Sequence, residues 1–324
     1  MQQRTTTFDA LRGIAALLVL ATHICIAVGG LANILQYSFF SPGIFGVVLF
    51  FCISGAVIPA AHQRAGSERV YWIRRLARIV PPYLIGMALA ALVRQPSPPV
   101  ILAHLTMLPD LFGIHPINGV FWTLEIELLF YLLISVGWKG HPLPWLILAF
   151  LTGWLAPLGI ATIGCGMALR KPGRFTLLLC ALVSLGWLTI PSDGSVGVRI
   201  AAACGLPVYM LALRYKGAAP RVLRHLGDLS FGIYLLHMPI IWWLSTSSPL
   251  VWVGATLIAA AALHLLIERP CMSWAKTVRD TEHHEADQAG GQQQTDQQQR
   301  DLTTSPHRLT PHRTNPDRPS SLLY

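Results

Sequence analysis

Charge is scarce in this chain. Lys, Arg, Asp and Glu make up 12% of its 324 residues, about half of the roughly 25% usual in soluble domains. With 53% hydrophobic residues and a mean hydropathy of +0.51, the composition excludes an ordinary soluble domain. Acidic residues are the scarcest, 15 against 24 Lys and Arg, for a formal net charge of +9. Such a balance can mark a nucleic-acid binder, but these basic residues fall between apolar runs and never gather on one face. Nucleic acid is therefore not expected as a partner; the lipid bilayer is. The six cysteines form no CxxC pair and no metal-ligand spacing, so no metal site is expected and they read as small buried apolar residues. No small-x-small cleavage site follows the first apolar run, which reads as a retained helix.

Long apolar runs are plentiful. A bilayer core of about 30 Å takes roughly 20 apolar helical residues, and ten candidate spans emerge: 8–29, 43–61, 79–94, 119–138, 142–156, 158–169, 174–190, 197–213, 229–247 and 249–267. The fifth and sixth are short and would also suit one re-entrant pair. The expected fold is all-α, a polytopic membrane helix bundle of about ten transmembrane helices. From 276 to 324 the chain turns to Gln, Pro, His, Thr and Asp without hydrophobic periodicity, as expected of a disordered tail.

Lys and Arg set the orientation. With the amino terminus in the cytoplasm, "HQRAGSERVYWIRRLAR" (62–78), Lys139, "RKPGR" (170–174), "RYKGAAPRVLRH" (214–225) and everything after Ile267 are cytoplasmic. The opposite connections, 30–42, 95–118, 157, 191–196 and 248, contain no Lys or Arg. A multi-pass protein of the plasma (inner) membrane with both termini cytoplasmic follows. The longest external connection, 95–118, is half apolar and is expected to lie in the interface or dip into the bundle.

Several polar residues sit where lipid would penalise them. Arg12 and His23 are eleven residues apart, close to three helical turns, so they share one stripe with a rise of about 16 Å between them. Arg12 is explained by snorkelling, by an Asp9–Arg12 pair, or by a site. His23 faces the bundle interior, as an interhelical bond or as a functional group. Glu125 and Glu127 point in nearly opposite directions, so at most one shares a cavity with His23; an interhelical salt bridge is the alternative. Ser230, Tyr234 and His237 follow i, i+4, i+7 on one face, and Pro239 leaves the Leu235 carbonyl free beside His237. Ser54 and Gly55 suit close helix packing as well as a site. Arg74, Arg75 and Arg78 suit positive-inside anchoring or an anionic ligand.

Taken in order, these segments resemble the membrane acyltransferase 3 family. "LRGIAALLVLATH" has its Arg-x10-His first helix, and "FFCISGAVI", "RRLARIVPPY", "FWTLEIELLFYLL", "LSFGIYLLHMPI" and the terminal "IERP" match its later motifs. Ala56 stands where the family often has Phe, and Glu125 where Ser is frequent. The resemblance covers Phe8 to Pro270. It implies a transmembrane acyltransferase domain over 1–275, followed by the cytoplasmic tail at 276–324. It also implies an O-acetyltransferase-like enzyme that transfers groups other than aminoacyl groups. The acyl group, acetyl in the simplest case, passes from acyl-CoA on the cytoplasmic side to a hydroxyl of a carbohydrate, glycosylated or secondary-metabolite acceptor. Acyl-CoA is a co-substrate; no bound cofactor is expected.

Carried over by position, the catalytic residues are Arg12, His23 and Glu127, and the ninth-span histidine is His237. Donor or substrate binding falls to Ser54, Arg74, Arg75, Arg78, Trp122, Tyr234 and His237. His23 is expected to act as general base, with Glu127 fixing its tautomer, or else to carry the acyl group covalently. A transporter or flippase, in which the same stripe conducts a proton or polar solute, is the alternative. A non-catalytic membrane scaffold is a third.

Overall fold

The computed structural model describes residues 2–30, 34, 38–136, 155–170, 173–189, 196–215, 218–278, 292 and 295. Among them there is no strand. In chain order the helices are α1 (Gln2–Val28), α2 (Pro42–Ala65), α3 (Glu68–Arg94), α4 (Pro98–Leu105), α5 (Trp122–Ser135), α6 (Leu155–Leu169), α7 (Arg174–Thr189), α8 (Val196–Arg214), α9 (Arg221–Trp243) and α10 (Pro249–Leu263). A 3-10 turn (Pro109–Phe112) follows α4, and a π-helical turn (His264–Glu268) continues α10. The chain separates into two units, Met1–Lys276 and Thr277–Tyr324. Nearly all of the expected tail lies outside the described residues, as does most of the expected span at 142–156.

Among the described residues, five helical stretches are long and apolar enough to cross a membrane: Thr6–Val28, Pro42–Ala65, Glu68–Arg94, Val196–Arg214 and Pro249–Val278. The other expected spans include one, 142–156, that lies mostly outside the described residues. Helix α9 is 23 residues long but opens on Arg221, Arg224 and Asp228. Helix α5, with 14 residues, reaches only about 21 Å, and α6 and α7 each adjoin residues outside the described set. The third expected span begins eleven residues early, because the Arg-rich segment before it is itself helical. Ser67 caps that helix by accepting from the Val70 N–H at 3.2 Å, and Glu68 adds an acidic first turn.

Helix α1 lies between α2 and α9, in contacts too close for any side chain but hydrogen. A Cβ at Gly227 would stand 2.0 Å from the Asp9 carbonyl oxygen, and one at Gly46 would stand 2.6 Å from that of Ala15. Small residues thus let backbones meet directly. Polar contacts tie α2, α3 and α5 together at the Arg-rich end of the bundle. Glu68 pairs with His62 and accepts from Ser135 Oγ at 2.7 Å, while Trp72 Nε1 donates to the same hydroxyl at 2.9 Å. At the other end, connection 95–118 does enter the bundle. His104 and Asn118 are fully buried, whereas Leu102, Leu105, Leu111 and Phe112 are exposed.

Candidate active site

Helices α1, α2, α3, α5 and α9 surround a cavity of about 150 Å³. Three guanidinium groups line it, those of Arg12, Arg75 and Arg78, together with the carboxylate of Glu127 and the hydroxyls of Ser54, Thr123, Ser230 and Tyr234. Apolar walls come from Val47, Phe50, Phe51, Ile79 and Leu124, among others. Arg12 pairs with Asp9 one turn below it, Nη1 to Oδ1 at 3.4 Å. Glu127 accepts a 2.5 Å hydrogen bond from the Tyr131 hydroxyl. Arg75 stacks over the rings of Tyr131 and Tyr71, at 5.5 and 6.0 Å, and its buried Nε has no hydrogen-bond partner among the described residues. Positive charge thus outweighs negative in a small, mostly apolar space, an arrangement suited to holding an anionic group.

The two intramembrane histidines lie next to this cavity and outside its lining. His237, fully buried, has Nδ1 3.0 Å from the Ile233 carbonyl oxygen and Nε2 3.2 Å from His23 Nδ1. His23 Nδ1 is also 2.9 Å from the Val19 carbonyl oxygen. A carbonyl only accepts, so both rings carry their proton on Nδ1. His23 Nδ1–H is then shared between Val19 and His237, and the lone pair on His23 Nε2 is left as the basic site of the pair. Tyr234 links the cavity to His237. It lines the cavity, and its ring lies 6.1 Å from that of His237 and 5.7 Å edge-on from that of Phe50. Its hydroxyl donates to the Val120 carbonyl oxygen at 3.0 Å and meets Thr123 Oγ1 at 2.7 Å.

Of the residues singled out in the sequence, the cavity thus brings together Arg12, Ser54, Arg75, Arg78, Glu127, Ser230 and Tyr234. His23 and His237 form the adjacent pair. Arg74 and Trp122 do not line the cavity; the Trp122 ring packs 6.2 Å from that of Phe51. Glu127 bonds to Tyr131, while His23 is hydrogen-bonded to Val19 and His237. On the Arg12–His23 stripe, Ala16 and Val19 are buried in packed side chains. Glu125, two residues from Glu127, is buried away from the cavity. Thr123 and Tyr131 were missed, although they stand four residues either side of Glu127 and so share its face.

Residues 6–166 match the family described as an acyltransferase domain. That stretch runs from α1 into α6 and contains every cavity residue except those of α9. Residues 6–166 carry this family's acyltransferase domain, and the protein is a membrane acyltransferase. It is similar to Nodulation protein 10 of Rhizobium leguminosarum bv. viciae, 25% identical over 82% of this chain and 92% of that protein. It is also similar to Acyltransferase MdmB of Streptomyces mycarofaciens, 24% identical over 83% of this chain and 92% of that one. No solved structure matches.

Proposed function

We propose that this protein transfers an acyl group, acetyl in the simplest case, from acyl-CoA in the cytoplasm to a hydroxyl of a carbohydrate, glycosylated or secondary-metabolite acceptor. The observation that carries this is the juxtaposition of a cationic cavity with a neutral, hydrogen-bonded histidine pair. The Arg-rich end faces the cytoplasm, as the distribution of Lys and Arg favours. The protein sits in the plasma membrane, with the segment from 276 on the cytoplasmic side.

Arg12, Arg75 and Arg78 hold the phosphates or thioester end of the donor, and Arg75 Nε supplies a donor that has no other partner among the described residues. His23 Nε2 takes the proton from the acceptor hydroxyl as its oxygen attacks the thioester carbonyl carbon. The carbon–sulfur bond breaks, and the proton passes to the departing thiolate. His237 accepts from His23 Nδ1–H throughout and so keeps the basic nitrogen turned to the substrate. Glu127, the one carboxylate among the described lining residues, offsets the three guanidiniums and stabilises the transient imidazolium.

The test is mass spectrometry of envelope glycans and extracted metabolites from cells with active protein and cells with His23→Ala. One species gaining a single acyl mass only with active protein supports the proposal. Solute flux without thioester consumption, and no acylated species, would instead establish a transporter.

A further inference from the structure

Asn118 has no part in the chemistry above, yet its carboxamide is fully buried and both ends are used. Oδ1 accepts from the Val120 N–H at 3.3 Å, and Nδ2 donates to the Leu235 carbonyl oxygen at 3.4 Å. That acceptor is the carbonyl which Pro239 deprives of its helical partner, since proline has no N–H to return to the residue four before it. A buried carbonyl must find a donor elsewhere, and here the donor comes from a different helix connection, 117 residues away.

The same short segment also holds the preceding residue of α9. Tyr234 donates to the Val120 carbonyl oxygen and meets the Thr123 hydroxyl. Segment 118–123 is itself anchored from behind. The Ile117 N–H donates to His104 Nε2 at 2.8 Å, and the Tyr83 hydroxyl donates to the His104 carbonyl oxygen at 3.0 Å. Asn118 is therefore a fixed post to which the proline-interrupted turn of α9 is tied. Two residues beyond Leu235 is His237, whose Nε2 contact to His23 is 3.2 Å. A shift of about an ångström at that turn takes such a contact out of hydrogen-bond range.

We propose that Asn118 is a positioning residue for the His23–His237 pair. By donating to the carbonyl that Pro239 frees, it fixes the proline-interrupted turn of α9, and with it the place of His237 against His23. This rests on the assignment of His23 as the base. Without the tie, the carbonyl seeks another donor, the turn relaxes, and His23 loses the partner that holds its tautomer. The cationic cavity is left as it was.

The experiment compares wild type, Asn118→Ala, Pro239→Ala and the double variant in inverted membrane vesicles from the producing cells, supplied with radiolabelled acetyl-CoA. Incorporation into total extractable acceptors gives kcat and the KM for acetyl-CoA, and thermal unfolding is followed in parallel. Asn118→Ala is expected to lower kcat by about tenfold to 100-fold, the scale of a small misplacement at a reacting centre, with KM unchanged. Pro239→Ala restores the helical N–H. It is expected to lose kcat to the same extent while its unfolding temperature holds or rises, which a merely structural role would not produce. The double variant should match Pro239→Ala, because the carbonyl is then satisfied within the helix, and it keeps the test open if Asn118→Ala fails to insert. In protein labelled with 15N-histidine, His23 and His237 should both show Nδ1–H in the wild type and lose that uniformity in Asn118→Ala. Wild-type kcat in Asn118→Ala, full activity in Pro239→Ala, or additive losses in the double variant would each overturn the proposal. A His23→Ala control separates the two levels: if it transfers normally, the function assigned to His23 falls, and if it is inactive while Asn118→Ala is normal, only the role of Asn118 falls.

Discussion

His237 Nε2 stands 3.2 Å from Nδ1 of His23, joining two helices that lie 214 residues apart in the chain. Because His237 Nδ1 is committed to the Ile233 carbonyl oxygen, its Nε2 can only accept while the ring is neutral. The pair is thus directional: His23 donates inward and offers its other nitrogen as a base.

Replacing His237 tests that direction. His237→Leu should lower acyl-transfer turnover by at least about tenfold, less than the roughly 10²–10⁴-fold that a general base contributes. His237→Gln, whose amide oxygen can accept from His23 Nδ1–H, should retain more activity than His237→Leu. Initial rates normalised to membrane-inserted protein check the order.

Arg75 should act on donor binding. A hydrogen bond to a charged group contributes about 1.5–3 kcal/mol, so Arg75→Ala should raise the KM for acyl-CoA by roughly 10- to 100-fold with a smaller change in kcat. Arg75→Lys should not restore it, since a lysine lacks the planar fork that stacks over Tyr131 and Tyr71. Donor titrations at fixed acceptor separate the two constants.

Gly227 should be intolerant of bulk. Its missing Cβ would meet the Asp9 backbone oxygen at 2.0 Å, so Gly227→Val must part α1 from α9, at a cost of about 1–3 kcal/mol or more. Gly254 on α10 has nothing within 4 Å, and Gly254→Ala should be neutral or stabilise by up to about 1 kcal/mol. Thermal unfolding of the two variants in one detergent compares them.

Helical periodicity made much of each single helix legible. It placed Arg12 and His23 on one stripe, sent Glu125 and Glu127 to different sides, and grouped Ser230, Tyr234 and His237. What it does not carry is the partner across a helix boundary. Nothing near His23 in the sequence points to His237, and nothing near Pro239 points to Asn118 as the group that takes up the Leu235 carbonyl. Nor does a shared face reveal what fills it: the packed Ala16 and Val19 lie along the stripe, and Tyr234 lines the cavity with its ring beside that of His237. Span counting met a different limit, since α5 is apolar enough but has only 14 residues. An apolar run records burial and does not by itself say whether lipid or neighbouring helices provide it.

The most direct measurement is transfer of label from radiolabelled acetyl-CoA to extractable acceptors by His23→Ala, in vesicles where its insertion matches wild type. Transfer should fall by about 10²–10⁴-fold while the KM for acetyl-CoA stays where it was. Wild-type transfer by His23→Ala would contradict the assignment of His23 as the base.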